Sequence, residues 1–300
     1  MSNLKGIHDY TIAEHPIRIE FLEDGRNDTR LLPSFAPFEI EGRHEEETLF
    51  FQLTVDDTMR PEPKERRERI RKFDTGNGET VVDLIDDGGY QYIIKDINGA
   101  ECCLLRSDKE FRNCRCALNG NYNMRSFGLN NALMLIFAFA GSRHDTLLIH
   151  ASLVRQNGYG YAFIAKSGTG KSTHVSLWLR HLPGCDLMND DNPVVRISDD
   201  NIMVYGSPWS GKTPCYRNVN YPIGAIVLLS QAPYNKIQRM GGIHAYASLM
   251  ESISGKRWDS RIADGLHQTQ NSLVMSVPMW HLECLPDEEA ATMCFAQISN

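Results

Sequence analysis

Over its first 125 residues the chain alternates apolar and polar positions in runs too short for helices, with turn residues between them. Ile17–Leu22, Thr48–Val55, Thr80–Ile85, Tyr90–Ile97 and Cys102–Arg106 carry β-branched, aromatic or alternating patterns, which suit a pleated, half-buried surface. Gly-Asn-Gly at 76–78, Asp-Asp-Gly-Gly at 86–89 and Asn98-Gly99 separate them and tolerate the positive φ of tight hairpins. Arg60–Lys72 mixes both charge signs around Pro61 and Pro63, which predicts a solvated connection with no more than a short helix.

The period then changes. Leu129–Ala140 has helical length and an apolar face, and Gly141-Ser142 ends it. Strands are predicted at Leu147–Val154, Tyr161–Ile164, Val194–Ile197 and Ala225–Leu229, with a helix from Lys171 among them. A helix near His244–Ile253, a strand at Leu273–Cys284 and a helix from Asp287 follow. Strands alternating with helices indicate an α/β domain. The expected organisation is a β-rich domain over residues 1–125 and an α/β domain over residues 126–300.

Composition narrows the function classes. Three hundred residues can bury two cores, and a formal net charge of −7 argues against a nucleic-acid partner. The longest apolar stretch, Ala132–Ala140, is about half the length of a membrane span. Met1–Tyr10 lacks an apolar signal region, so a cytoplasmic protein with no membrane partner is expected. The eight cysteines include Cys102-Cys103 and Cys114-x-Cys116, neither with the two-residue gap of a zinc knuckle. Adjacent strand residues point to opposite faces, so reduced, half-buried thiols are the expectation.

The chemistry begins at Tyr161-Ala-Phe-Ile164, a compact apolar strand. Ala165-Lys-Ser-Gly-Thr-Gly-Lys-Ser172 follows at once, then a helical pattern with Val175, Trp178, Leu179 and Leu182 on one face. This is the strand–loop–helix context of a Walker A loop, with Ala165 in place of its first glycine. Gly168 and Gly170 let successive backbone N–H groups turn inward at phosphate oxygens, and the helix N-terminus adds partial positive charge there. Ser167, Gly168, Thr169, Gly170, Lys171, Ser172 and Thr173 are therefore the candidate nucleotide-binding residues. Lys171 reaches for the β- and γ-phosphates, and the Ser172 hydroxyl is a candidate Mg²⁺ ligand.

Phosphoryl transfer also needs a metal-binding carboxylate and a group that receives the proton of the attacking hydroxyl. Asn189-Asp190-Asp191-Asn192-Pro193 lies eighteen residues beyond Ser172. The segment suits such a site and serves equally as turn chemistry. His150 closes an apolar strand entering the same domain, where a catalytic and a structural histidine look alike. Gly206–Asn218 is a shaped loop whose Lys212 and Arg217 are candidate partners of anionic oxygens. Its Gly-Lys-Thr has neither strand before it nor helix after it, so it is not a second Walker A loop.

Together His150-Ala-Ser, the Ser167–Ser172 loop and Asn189-Asp190-Asp191 resemble the catalytic core of bacterial HPr kinase/phosphorylase in order and spacing over residues 147–230. Gly224-Ala225 and the closing Val277–Asp287 are similar to the wider relatives of that kinase, which share a fold with phosphoenolpyruvate carboxykinase. The family's Leu-Glu-Ile-Arg-Gly signature is not present, and residues 1–125 match nothing in it. The resemblance implies an α/β, P-loop kinase core of the HPr kinase/phosphoenolpyruvate carboxykinase-like type behind the N-terminal β-rich domain. It also implies an ATP- and Mg²⁺-dependent phosphotransferase, with Ser172 and Asp190 holding the metal and Asp191 as base. His150 would support the transferred group, and phosphorolysis of a phosphoserine would use the same site. A serine of a protein or peptide is the open acceptor, and a small-molecule kinase or carboxykinase-like enzyme is one alternative. A nucleotide-responsive binding module without phosphotransfer is the alternative of a different class, and the oligomeric state is left open.

Overall fold

The computed structural model describes residues 6–22, 25–74, 78–166, 168–198, 201–211, 213–255 and 258–299. The predicted turn positions 76 and 77, the loop serine Ser167 and the loop lysine Lys212 lie outside the described residues. The chain separates into two compact units, Met1–Ala140 and Gly141–Asn300. The first therefore includes the residues of the helix predicted at Leu129–Ala140, which the sequence pattern groups with the second half.

In the first unit the strands are β1 (Ile7–Ile12), β2 (His15–Phe21), β3 (Phe51–Val55), β4 (Arg67–Asp74), β5 (Gly78–Ile85), β6 (Tyr90–Asp96), β7 (Glu101–Ser107) and β8 (Asn113–Leu118). They form one sheet in the order β1-β2-β3-β8-β7-β6-β5-β4. Alternation decides which face is covered: β2 and β3 bury every second side chain, as period-two strands with one wet face do. Helix α1 (Tyr122–Gly141) contributes Leu129, Leu133, Ile136 and Phe137 to the core. The Phe137 ring meets Phe50 and His15 edge-on, and Phe139 packs on Phe111. Those contacts fix the helix within this unit.

The connection predicted over Arg60–Lys72 is corrected: a 3₁₀ turn at Lys64–Arg66 leads into β4. Its charges suit a strand paired on one side only, because cations on an edge strand discourage further pairing. Arg67 and Arg69 both bond the buried Asp83 of β5 across the ladder. A run that reads as solvated is thus held by cross-strand charge.

The second unit comprises β9 (Thr146–Leu148), β10 (Ala151–Gln156), β11 (Tyr159–Ile164), α2 (Lys171–His181), β12 (Asp186–Asp191), β13 (Val194–Ser198), β14 (Asn201–Tyr205) and β15 (Asn220–Gln231). After these come β16 (Lys236–Arg239), α3 (Gly242–Ser252), α4 (Ser260–Ser276), β17 (Met279–Cys284) and α5 (Glu288–Ile298). Among the described residues its strands form a nine-stranded mixed sheet with the main order β12-β10-β11-β15-β14-β13-β9. β17 pairs with the C-terminal part of β15, and β16 with β17. Trp178 of α2 is fully buried against Tyr161, Phe163 and Phe295. It thereby ties α2 to β11 and to α5. Asp287 caps α5 by accepting from Ala290 N at 3.0 Å.

Two predicted strands are corrected. Leu147–Val154 is two strands, β9 and β10, with His150 in the break. Leu273–Cys284 is the end of α4 followed, after Pro278, by β17. Both units are mixed or all-β assemblies with few helices. Among the described residues no helix is long and apolar enough to cross a membrane.

Candidate functional site

Strand direction gathers the site. β10 runs antiparallel to both β11 and β12, so its N-terminus meets their C-termini. Ala151 pairs with Asp191, and Ser152 pairs with Asp190 on one side and Phe163 on the other. β15 is parallel to β11 and brings Leu228 opposite Ile164. One sheet edge therefore carries the end of β11 with its glycine loop, the Asp190-Asp191 pair, His150 and Leu228–Ser230. Strand ends at such an edge are where open α/β sheets bind ligands.

The loop has the backbone its glycines predict. Gly168 has φ +81° and Gly170 φ +110°, both in the region that disfavours L side chains. Gly170 is the N-cap of α2 and has no side chain to satisfy the first N–H groups of the helix, so these stay open to an anion. The turn is held by Thr169 N donating to Lys166 O at 3.1 Å and by Gln231 Nε2 donating to Thr169 O at 3.2 Å.

Lys171 Nζ donates to His150 Nε2 at 2.9 Å. The imidazole proton is then on Nδ1, which donates to Asp191 Oδ1 at 2.9 Å. Ammonium, imidazole and carboxylate thus form one chain across residues forty apart in sequence. Burial pushes the Lys171 pKa below the usual lysine value, while the Asp191 and Asp190 charges work in the opposite direction. His150 is fixed through its backbone as well: Ile149 N donates to Pro193 O at 3.1 Å and His150 N to Ser252 O at 2.6 Å.

Asp190 is buried, and one of its oxygens accepts from the Ser152 hydroxyl at 2.6 Å. The other carboxylate oxygen has no partner among the described residues. Asp191 holds φ +150°, a backbone state rare outside glycine. Neighbours enforce it. The Asp191 backbone is paired with Ala151 and bridged to Ser210, and Gly211 N donates to Asp190 O at 2.5 Å. Asn189 Nδ2 reaches the Ser207 hydroxyl and Trp209 O, while its Oδ1 accepts from Asn192 N at 3.0 Å. The segment that reads as a turn is therefore a shaped strand end braced from behind by residues 207–211.

Of the loop cations, Arg217 does not join this group, and Lys212 lies outside the described residues. Arg217 pairs with Asp186 at 2.8 Å and donates to Leu187 O, at the far end of β12, about 16 Å from Asp191 by strand rise. Ser152, Asn189 and Ser207 lie in segments that the sequence singles out, but their supporting bonds to Asp190, Asn192 and Asn189 are not legible there. Only the antiparallel register of β10 with β12 sets Ser152 against Asp190, and that register has no local signal.

Two cavities flank the glycine loop. One, of about 550 Å³, opens in front of it between His150, Lys166, Ser230 and the Ala247–Ser252 side of α3. The other, of about 530 Å³, lies on the α2 side between Thr169, Thr173, His174, Leu177, Leu229 and Leu285. His174 accepts from Trp178 Nε1 at 3.0 Å, and burial pushes its pKa down to about 4.

Fold and site define a mixed α/β unit with a glycine-turned strand–loop–helix and a carboxylate–imidazole–ammonium chain at one sheet edge. Residues 113–284 match the family described as SynChlorMet cassette protein ScmC, and the chain belongs to that family, since the match covers more than half of it. No curated protein matches its sequence. Among solved structures, the HPr(Ser) kinase/phosphatase from Coxiella burnetii is 9% identical and has a TM-score of 0.30. The match covers 51% of this chain and 88% of that one, a likeness too loose to bear on fold or function.

Proposed function

We propose that the second unit binds ATP at Ala165–Thr173 and transfers its γ-phosphoryl group to a hydroxyl, as an HPr-kinase-like phosphotransferase. The observation that carries this reading is the Lys171–His150–Asp191 chain in front of a loop whose helix N-terminus is open. Backbone N–H groups of Gly168, Gly170 and the first turn of α2 cradle phosphate oxygens, and the desolvated Lys171 meets the β- and γ-phosphates. The nucleoside lies in the cavity on the α2 side, where Leu177, Leu229 and Leu285 supply apolar walls.

The donor set suits Mg²⁺, which takes oxygen ligands and keeps several waters. The exposed Ser172 hydroxyl and the open oxygen of Asp190 would hold it. Bound there, the ion neutralises charge on the phosphate oxygens. Asp191 accepts the proton of the attacking hydroxyl, and the His150 Nδ1–H bond keeps its carboxylate in place. Ser152 does the same for Asp190.

Calorimetric titration with ATP and transfer of label from γ-labelled ATP to fractionated cell extract test the roles separately. Lys171→Ala is expected to weaken ATP binding at least tenfold, and Asp191→Asn to keep binding and lose transfer. Unchanged affinity in Lys171→Ala sinks the phosphate-loop assignment. Transfer at the wild-type rate by Asp191→Asn removes the base.

A further inference from the structure

The cavity in front of the glycine loop has a wall that the phosphotransfer reading leaves without work. That wall is α3, whose small residues Ala247, Ser248 and Ser252 line it together with Glu251. Backbone bonds from His150 N to Ser252 O and from Ser254 N to Leu148 O (2.8 Å) stitch the end of α3 to the segment bearing His150. The wall and the imidazole therefore share one frame.

Glu251 sits in the last turn of α3, where the helix dipole disfavours a negative charge. It is exposed, lines the cavity, and makes no hydrogen bond or ion pair among the described residues. Nothing among the described residues offsets that placement. The same helix exposes Ile243 (87%) and Met250 (39%). Ile243, Ala247 and Met250 fall at i, i+4 and i+7, on one face, and Ala247 belongs to the cavity lining as well. An apolar stripe thus adjoins the cavity at Ala247, beside a carboxylate that has no partner among the described residues.

We infer that this surface receives a polypeptide acceptor whose reactive hydroxyl lies next to a lysine or arginine read by Glu251, and whose apolar side chain packs on Ile243 and Met250. The inference rests on the phosphotransfer reading and names its acceptor class. A small cationic alcohol would use Glu251 but would leave the stripe uncovered. Eight residues of helix place Ile243 about 12 Å from Glu251, which an extended chain spans in about four residues. The apolar anchor is therefore expected about four positions from the cation.

The test uses the full chain, γ-labelled ATP and synthetic serine peptides with lysine beside the serine and leucine four positions from the lysine, on either side. Matched peptides carry glutamate for the lysine or serine for the leucine, and ethanolamine serves as the small-molecule arm. Wild-type protein is expected to prefer the lysine peptide over the glutamate peptide by about tenfold in kcat/KM, less at high salt. Glu251→Gln should reduce that preference at least fivefold, and Glu251→Lys should invert it, both with unchanged ATP affinity by calorimetry. Ile243→Ser should raise KM for the leucine peptide and leave kcat alone. Labelled peptides with no charge preference, or a preference that survives Glu251→Gln, overturn the role of Glu251. Label on ethanolamine and on no peptide overturns the polypeptide acceptor while leaving phosphotransfer intact. A protein that binds no ATP and labels nothing overturns the phosphotransfer reading and this inference with it.

Discussion

Asp191 is held at φ +150°, and replacing it with glycine should separate the backbone cost of the site from its chemistry. A non-glycine residue in such a region costs about 1–3 kcal/mol. The strain persists because pairing with Ala151 and the bridge to Ser210 leave the strand end no other path. Asp191→Gly relieves it but loses about 0.5–1 kcal/mol to the freer unfolded chain. The fair comparison is Asp191→Asn, which keeps the strained backbone and also removes the charge. Asparagine still accepts from His150, which favours it by about 1 kcal/mol at most. Taking the upper half of the strain range, the glycine variant should be the more stable by about 1 kcal/mol. For a unit of this size that is a melting shift of about 2–4 °C. The assay is selective, because Trp178, Trp209, Trp258 and Trp280 all lie in Gly141–Asn300, so tryptophan fluorescence follows this unit and not the other. Both variants should lose phosphotransfer. A glycine variant melting at or below the asparagine variant would refute the idea that strain is stored at the base.

Two further predictions concern α2. The folded pKa of His174 is about 4 against an ordinary 6.5, so between those values the unfolded chain gains a proton that the folded one refuses. Stability of the second unit should therefore fall by about 3 kcal/mol as pH drops from 6.5 to 4, and level off below. His174→Gln should flatten that slope in urea titrations followed by tryptophan fluorescence; an unchanged slope would show that other groups cause it. Gly170→Ala meets nothing closer than Thr173 Cβ at 4.0 Å, so its cost is backbone alone. It should destabilise by about 1–3 kcal/mol and weaken ATP binding by calorimetry, and a variant that melts like wild type would contradict the left-handed turn.

What the sequence made legible was local. Tyr161–Ser172 announces strand, glycine turn and helix because each carries its own signal within a dozen residues, and Asp287 announces α5 as a capping residue does. The break at His150 had no such signal: Leu147–Val154 is apolar apart from His150 and Ser152, with no glycine or proline to divide it. The division comes from different partners, since β9 pairs with β13 and β10 with β11 and β12. Helix α4 escaped because its buried face includes Thr269 and Gln270, which blur the 3.6-residue period. They are tolerated inside because Thr269 bonds Gly265 O and Gln270 bonds Tyr246 O. Ser152 and the brace at Ser207 depend on register and loop closure across dozens of residues, and single-sequence periodicity does not encode either.

The Lys171 bonds also constrain the order of events at the site. Its ammonium bonds His150 Nε2 at 2.9 Å and Ala165 O at 3.5 Å, which leaves one of its three N–H donors, so meeting oxygens of both the β- and γ-phosphates would mean giving up at least one of these contacts. That exchange is favourable only because the lysine is already desolvated: burial disfavours its charge, and an anion restores what water no longer supplies. Were the shorter contact given up, His150 Nε2 would lose its donor while Nδ1–H still holds Asp191. The imidazole is then exposed on the side facing the front cavity, at the moment when a phosphate occupies the loop. In the proposed reaction Asp191 and Asp190, which support the ammonium charge in the free protein, would turn to the acceptor and the metal once that charge is matched by phosphate. Lys171, His150 and Asp191 thus hold one another in the free protein and would serve separate partners with nucleotide bound. Conserving that exchange requires a strand end that keeps Asp191 in place without the lysine, which is the work of Ala151, Ser210 and Gly211 behind it.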